Sequence, residues 1–169
     1  MEERGWKVLC MDESIFLYDS VIRYLWVKRG SKPIVLTTGS HRRTCLFGSL
    51  SIEGKQLFRQ YDTVNGKNFI TYMKTLKRKF GSFLLFMDRA PHHRSKQVER
   101  WLRENRKHIK VKWFPTARPE LNPLEECWRQ SKNIIQANRI HHTFEAMKKE
   151  ISKTMRTKRF KLNMVKYLC

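Results

Sequence analysis

Several things are missing from this chain, and each absence removes a class of protein. No apolar run approaches the ~20 residues a helix needs to cross a bilayer, and the charged start Met-Glu-Glu-Arg is no signal peptide. The expectation is an intracellular, cytoplasmic protein. Cysteines number four (Cys10, Cys45, Cys127 and Cys169), with no C-x-x-C pair and no Cys/His cluster at zinc-finger spacing. They read as buried thiols in a reducing compartment, although a Cys10–Cys45 bridge between neighbouring strands is conceivable. Repeats, low-complexity tracts and a convincing interdomain linker are also lacking, so residues 1–169 read as one domain. Acids are scarce: 15 Asp and Glu stand against 36 Lys and Arg, a net charge of +21. Such a surplus favours polyanionic partners and steeply salt-dependent binding, without saying what happens to the polyanion.

What is present argues for a packed fold. Hydrophobic residues make up 40% of the chain, with ten Phe and five Trp, too many for a disordered basic tail. Lys7–Asp12 reads as a buried strand ending in an acid. Residues 14–37 are ambiguous, with a turn at Gly30, Ser31 and Pro33 and a short strand suggested at Ile34–Thr37. Arg42–Ile52 and Gln56–Tyr61 read as two strands joined by a Glu53-Gly54-Lys55 turn. Helical stripes follow at Asn68–Phe80, ended by Gly81, and at Ser95–Asn105. Ser82–Asp88 is apolar without alternation and suits an internal strand, and Ile109–Phe114 alternates apolar with basic. Pro123–Asn138 and Phe144–Thr157 complete the helices. The order predicts an α/β fold, a mixed central sheet flanked by helices.

The chain has only four aspartates, and two of them close strongly apolar runs: Asp12 in KVLCMDES and Asp88 in FLLFMDRA. On adjacent strands they would form one anionic pocket, and such oxygen ligands suit Mg²⁺. Alone, a strand-end Asp more often caps the next turn. A third acid shifts that balance. In PELNPLEECW, Asn122 suits a helix N-cap and Pro123 the first helical position, so Glu125 falls at N3, where a capping-box role is the plain alternative. Trp128 shares the face of Glu125, whereas Glu126 lies about 100° round. With Trp128 in the core, Glu125 turns towards the strand ends. Glu13, Asp62 and Glu126 are read as decoys.

The runs MDES, MDRAPHHRSK and PELNPLEECW, with RYLW before Gly30 and Pro33, closely resemble the mariner-like and insertion-sequence transposases, and the similarity spans nearly the whole chain. That resemblance implies an RNase H-like fold with a catalytic Asp-Asp-Glu triad, here Asp12, Asp88 and Glu125, the last two 37 positions apart. It also implies two Mg²⁺ (or Mn²⁺) ions, with Asp12 bridging both, Asp88 on one and Glu125 on the other. The implied reactions are strand cleavage at terminal inverted repeats and transfer of the freed 3′-hydroxyl to target DNA in cut-and-paste transposition. One departure is Arg89, where the family often has Asn; it could meet DNA phosphate or pair with Asp88. His93 matches a histidine often found five positions after the second acid, suited to orienting the loop or meeting DNA, with a local helix-capping role as the plain alternative.

Phosphate contacts are expected from Arg42, Arg43, Arg89, His93, Arg94, Lys96, Arg118, Arg129 and Lys132, which flank the acids in sequence. Arg129 could equally pair with Glu125 along the helix. The resemblance further implies transposon ends and target DNA as partners, a homodimer or higher assembly, and a prokaryotic nucleoid-associated location. A helix-turn-helix region precedes the catalytic domain in the family, and Met1 lies only eleven residues before Asp12. The expectation is a catalytic domain lacking that module, whether a split frame, a truncated copy or an excised piece, with the module encoded separately or missing. Two alternatives stand: another RNase H-like nuclease, and an inactive remnant that binds DNA nonspecifically.

Overall fold

The computed structural model describes residues 5–115, 118–162 and 167. Its centre is a five-stranded sheet of β1 (Lys7–Leu17), β2 (Arg43–Ser51), β3 (Gln56–Tyr61), β4 (Phe83–Met87) and β5 (Ile109–Trp113), in the order β3-β2-β1-β4-β5. The first three strands are antiparallel, whereas β4 and β5 run parallel to β1. Helices α1 (Gly66–Phe80), α2 (Lys96–Glu104), α3 (Pro123–Ile135) and α4 (Phe144–Thr157) complete the layers, with single 3₁₀ turns at Pro91–Arg94 and Pro119–Leu121.

Period-two alternation along β1 splits the core in two. Leu9 and Met11 join Phe69, Tyr72, Met73 and Leu76 of α1 on one face. Cys10 and Phe16 join Leu124, Cys127 and Trp128 of α3 and Met147 and Ile151 of α4 on the other. The helix ends explain themselves locally. The Asn65 side chain accepts from the Asn68 N–H at 2.9 Å to start α1, and Gly81, at φ 72°, donates back to the Lys77 carbonyl to stop it. The β2–β3 turn places Gly54 at φ 79°, as the hairpin reading requires.

Most element ends shift by one or two residues from the sequence reading, as where α1 begins at Gly66 and not Asn68, and three differences are larger. Strand β1 does not end at Asp12 but continues to Leu17, because β2 goes on pairing with it through Leu17↔Arg43 after β4 has stopped at Cys10↔Phe86. The short strand at Ile34–Thr37 does not form: Ile34 and Leu36 are exposed, and the Leu36 carbonyl is taken by the Ser20 hydroxyl. Helix α3 stops at Ile135, three residues short of Asn138. There the Gln136 amide donates to the Leu17 carbonyl, and Ala137 bridges to Val21, drawing the chain off the helical path.

Cys10, Cys45 and Cys127 are free and buried. Cys10 faces Leu50 and Cys45 faces Ile15, five places apart along the same ladder, so the Cys10–Cys45 bridge does not form. Cys169 lies outside the described residues. Among the described residues no helix is long and apolar enough to cross a membrane.

Candidate active site

Asp12 sits where β1 runs on beyond the last paired residue of β4. Carried two residues past Cys10↔Phe86, that register sets Asp12 level with Asp88, one strand away. Asp12 shares the sheet face of Cys10 and Phe16, the face covered by α3. The Trp128 Nε1–H donates to its Oδ2 at 2.8 Å. Burial pushes the Asp12 carboxyl up to about 7; the Trp128 hydrogen bond opposes this, and the charges of Glu13 and Glu125 add to it. Glu125 is therefore an electrostatic neighbour of Asp12, brought there by the helix that carries Trp128.

The start of α3 agrees with the sequence reading. The Asn122 side chain accepts from the Leu124 N–H at 3.2 Å, and Pro123 follows at the first position. The Glu125 carboxylate is exposed, and among the described residues it makes no hydrogen bond or ion pair, so it is not spent on a capping box. By contrast, Glu126 is held by Arg129 at 2.6 and 2.7 Å and by Gln130 at 2.8 Å, and those bonds lower its carboxyl to about 2. Arg129 thus pairs with Glu126, three residues back, and not with Glu125. Asp62 is exposed and 3.5 Å from Lys148.

Asp88 is half-exposed and turned towards His93, whose Nδ1 lies 3.0 Å from Oδ1, while the Ala90 N–H donates at 3.1 Å. The His93 hydrogen bond holds the Asp88 carboxyl below its usual range against the effect of burial. On its other side the His93 Nε2 is 2.9 Å from Glu13 Oε1, and His92 adds a second contact at 3.3 Å. With carboxylate oxygens on both ring nitrogens, His93 is an imidazolium: burial opposes its charge, but the bonds from Asp88 and Glu13 win and raise it to about 9. Glu13 is lowered in turn, its burial outweighed by His92 and His93. The ligand atoms of Glu13, His92 and His93 lie within 4.8 Å of one another, but as an imidazolium His93 has no lone pair to offer a metal.

His93 therefore departs from the expectation that it meets DNA. It is 1% exposed, packs at 4.7 Å on the Phe69 ring and has both nitrogens occupied. Nor does Arg89, which is exposed, pair with Asp88. Arg43, Arg94 and Lys96 are exposed. Arg42 stacks over Phe144 at 4.2 Å with Glu145 at 3.7 Å, and Arg118 pairs with Glu120 at 3.3 Å. Lys132 is half-buried, its ammonium 5.6 Å from the Phe16 ring centroid. Burial lowers Lys132, while Glu125 and Asp12 act in the opposite sense, so it stands beside the two acids.

Two participants escaped the sequence reading. Glu13 directly follows Asp12, so in a strand it must point to the opposite face among Leu9 and Met11, and a buried acid there demands a cation. Trp128 was read as core only, yet its N–H is a donor that a buried indole has to satisfy.

The sheet order and helical layers are those of the RNase H-like fold of transposase and integrase catalytic cores. The chain matches the structure titled Mos1 transposase paired-end complex with left transposon end at a TM-score of 0.66 and 16% identity, over 99% of this chain and 52% of that one. It matches the HTLV-2 integrase catalytic core domain at 0.51 and 12% identity, over 78% and 70%. The sequence model of the DDE superfamily endonuclease matches residues 7–148, and the chain belongs to that family. Among curated proteins, an insertion element IS630 protein of Shigella sonnei is 28% identical over 136 residues, 78% of this chain but 39% of that protein. The chain thus spans well under two thirds of these transposon-encoded relatives.

Proposed function

We propose that Asp12, Asp88 and Glu125 form one metal-binding catalytic centre for DNA strand cleavage and 3′-hydroxyl strand transfer in cut-and-paste transposition. The observation that carries this is the pairing state of the acids. Glu126 and Asp62 are each matched to a cation and Glu13 is buried against His92 and His93, whereas among the described residues Glu125 makes no hydrogen bond or ion pair, the side-chain donor to Asp12 is the neutral Trp128 indole, and Asp88, though held by His93, stays half-exposed, in a protein of net charge +21. Unmatched carboxylates beside one another on such a background fit a divalent cation, and their oxygen donors suit Mg²⁺ or Mn²⁺. Two such ions, when bound, would supply the activated water and the stabilisation of the leaving 3′ oxygen. The chain's own residues do the rest. Trp128 fixes the Asp12 carboxylate, His93 fixes that of Asp88, and α3 presents Glu125. Lys132 and the exposed Arg43, Arg89, Arg94 and Lys96 supply charge for the substrate's phosphates. Transposon ends and target DNA are the substrates on this reading, with recognition of the ends supplied by a separate DNA-binding module and with pairing of ends by a homodimer.

The direct test is nicking of supercoiled plasmid in Mn²⁺ or Mg²⁺, comparing wild type with Asp88→Ala. The expected result is metal-dependent nicking that falls at least ~100-fold in the variant. Nicking that survives in the variant would refute the assignment.

A further inference from the structure

Away from these acids, the outer edge of the sheet forms a second charged feature. Strand β3 borders an open cleft of about 750 Å³ between α1 and α4. Its walls carry Arg59 from β3, Arg78 and Lys79 from α1, Arg156 from the end of α4 and Arg159 just beyond, over a floor that includes Leu57, Ile151 and Met155. None of the five cations is within ion-pair distance of a carboxylate among the described residues. Burial lowers Lys79, and the neighbouring charges of Arg59, Arg159 and Lys55 push in the same direction, as expected where like charges are crowded without a counter-ion. Elsewhere on the molecule Arg100, Arg118 and Arg129 each pair with an acid.

The cations are also anchored. Lys79 Nζ donates to the Gln56 carbonyl at 2.7 Å, and Arg59 to the Phe58 carbonyl at 3.1 Å. Arg159 donates to the Arg156 carbonyl at 3.2 Å and Arg78 to the Thr75 hydroxyl at 3.4 Å. The guanidiniums of Arg59, Arg78 and Arg159 each spend one N–H on a neutral acceptor and keep the others for an oxyanion. Two carbonyls of the edge strand are thereby covered, which disfavours addition of a peptide strand there. Two strand spacings, roughly 10 Å at ~4.8 Å each, separate β3 from β1, with Trp128 and Phe58 packed edge to face between them.

We propose that this cleft is a second DNA-binding surface, holding the phosphodiester backbone of a duplex segment away from the scissile phosphate. It rests on the reading of the chain as a DNA-cutting domain only for the identity of the polyanion. The test is anisotropy of a labelled random-sequence duplex, titrated in EDTA across salt concentrations. Arg59→Gln/Arg156→Gln/Arg159→Gln is compared with Arg103→Gln/Arg106→Gln/Lys107→Gln, an equal charge change on exposed residues towards the β5 edge. At about 0.9 per phosphate contact, the cleft variant should flatten the log–log salt slope by about 2–3 and weaken binding at least tenfold, and the control by less than one. Equal slopes in the two variants, with unchanged thermal melts, would overturn the proposal and leave the groove to an acidic peptide. Because the assay contains no metal, failure of the Asp12–Asp88–Glu125 centre leaves its outcome untouched, and Asp88→Ala should keep the wild-type slope.

Discussion

Asp12 is an acid held where ionisation is difficult, and its side-chain hydrogen-bond donor, Trp128, tempers that difficulty. The indole N–H of Trp128 favours the charged form, while burial and the charges of Glu13 and Glu125 favour the protonated form. Trp128→Phe keeps most of the buried ring and removes the donor, so the Asp12 carboxyl should move further above 7. Protons then compete with metal at higher pH, and the acidic limb of the nicking profile should shift to the alkaline side. The loss of one hydrogen bond should cost about 1–2 kcal/mol of stability; a profile that stays in place would deny Trp128 this role. Residue types and local context single out Asp12, Asp88 and Glu125 in the sequence as the proposed centre, although Asp12 lies within β1 and not at its end. The partners were less so, because Glu13 looked redundant beside Asp12 and Trp128 looked merely apolar. A hydrogen bond across 116 positions leaves no local trace.

At the scale of elements, α3 is seated by one close approach. Gly48 of β2 lies opposite Asp12 in the ladder, and a Cβ there would come within 2.5 Å of Trp128 Cη2 and 2.7 Å of Phe58 Cε1. Gly48→Ala should therefore push the indole off the sheet. The expected result is a loss of about 1–3 kcal/mol in chemical denaturation, with a larger fall in nicking than the loss of folded protein explains. Helices were the easier elements to read: Phe144–Thr157 forms as the stripe indicates, and Gly81 ends α1. The length of β1 was harder, since Glu13 and Ser14 interrupt its apolar run and only the pairing with β2 carries it to Leu17. Ile34–Thr37 has β-forming side chains without a partner strand, and composition alone cannot supply one.

The whole molecule depends on two helical layers against one sheet, and the layer containing α4 is completed late in the chain. Phe144, Met147, Ile151, Met155 and Phe160 are all buried in the cluster under Trp128. A cut after residue 148 removes Ile151, Met155 and Phe160, and at roughly 1.5–3 kcal/mol each that loss rivals a net stability of ~5–15 kcal/mol. A fragment ending at residue 148, the boundary of the family match, should give no cooperative melt by circular dichroism, whereas the full chain should melt cooperatively. The layered α/β class was readable from the order of patterns. The order β3-β2-β1-β4-β5 was not, because it joins strands far apart in the chain.

The wedge of Trp128 against Gly48 gives α3 a fixed datum on the sheet. Glu125 lies one turn from that datum, so its position is referenced to β1 and β2 and not to the chain leading from Asp88. That stretch carries α2 and β5, both packed, so only residues gained or lost in its surface turns would change the count between the second and third acids without moving either. The indole, not the number of residues between the acids, is the ruler.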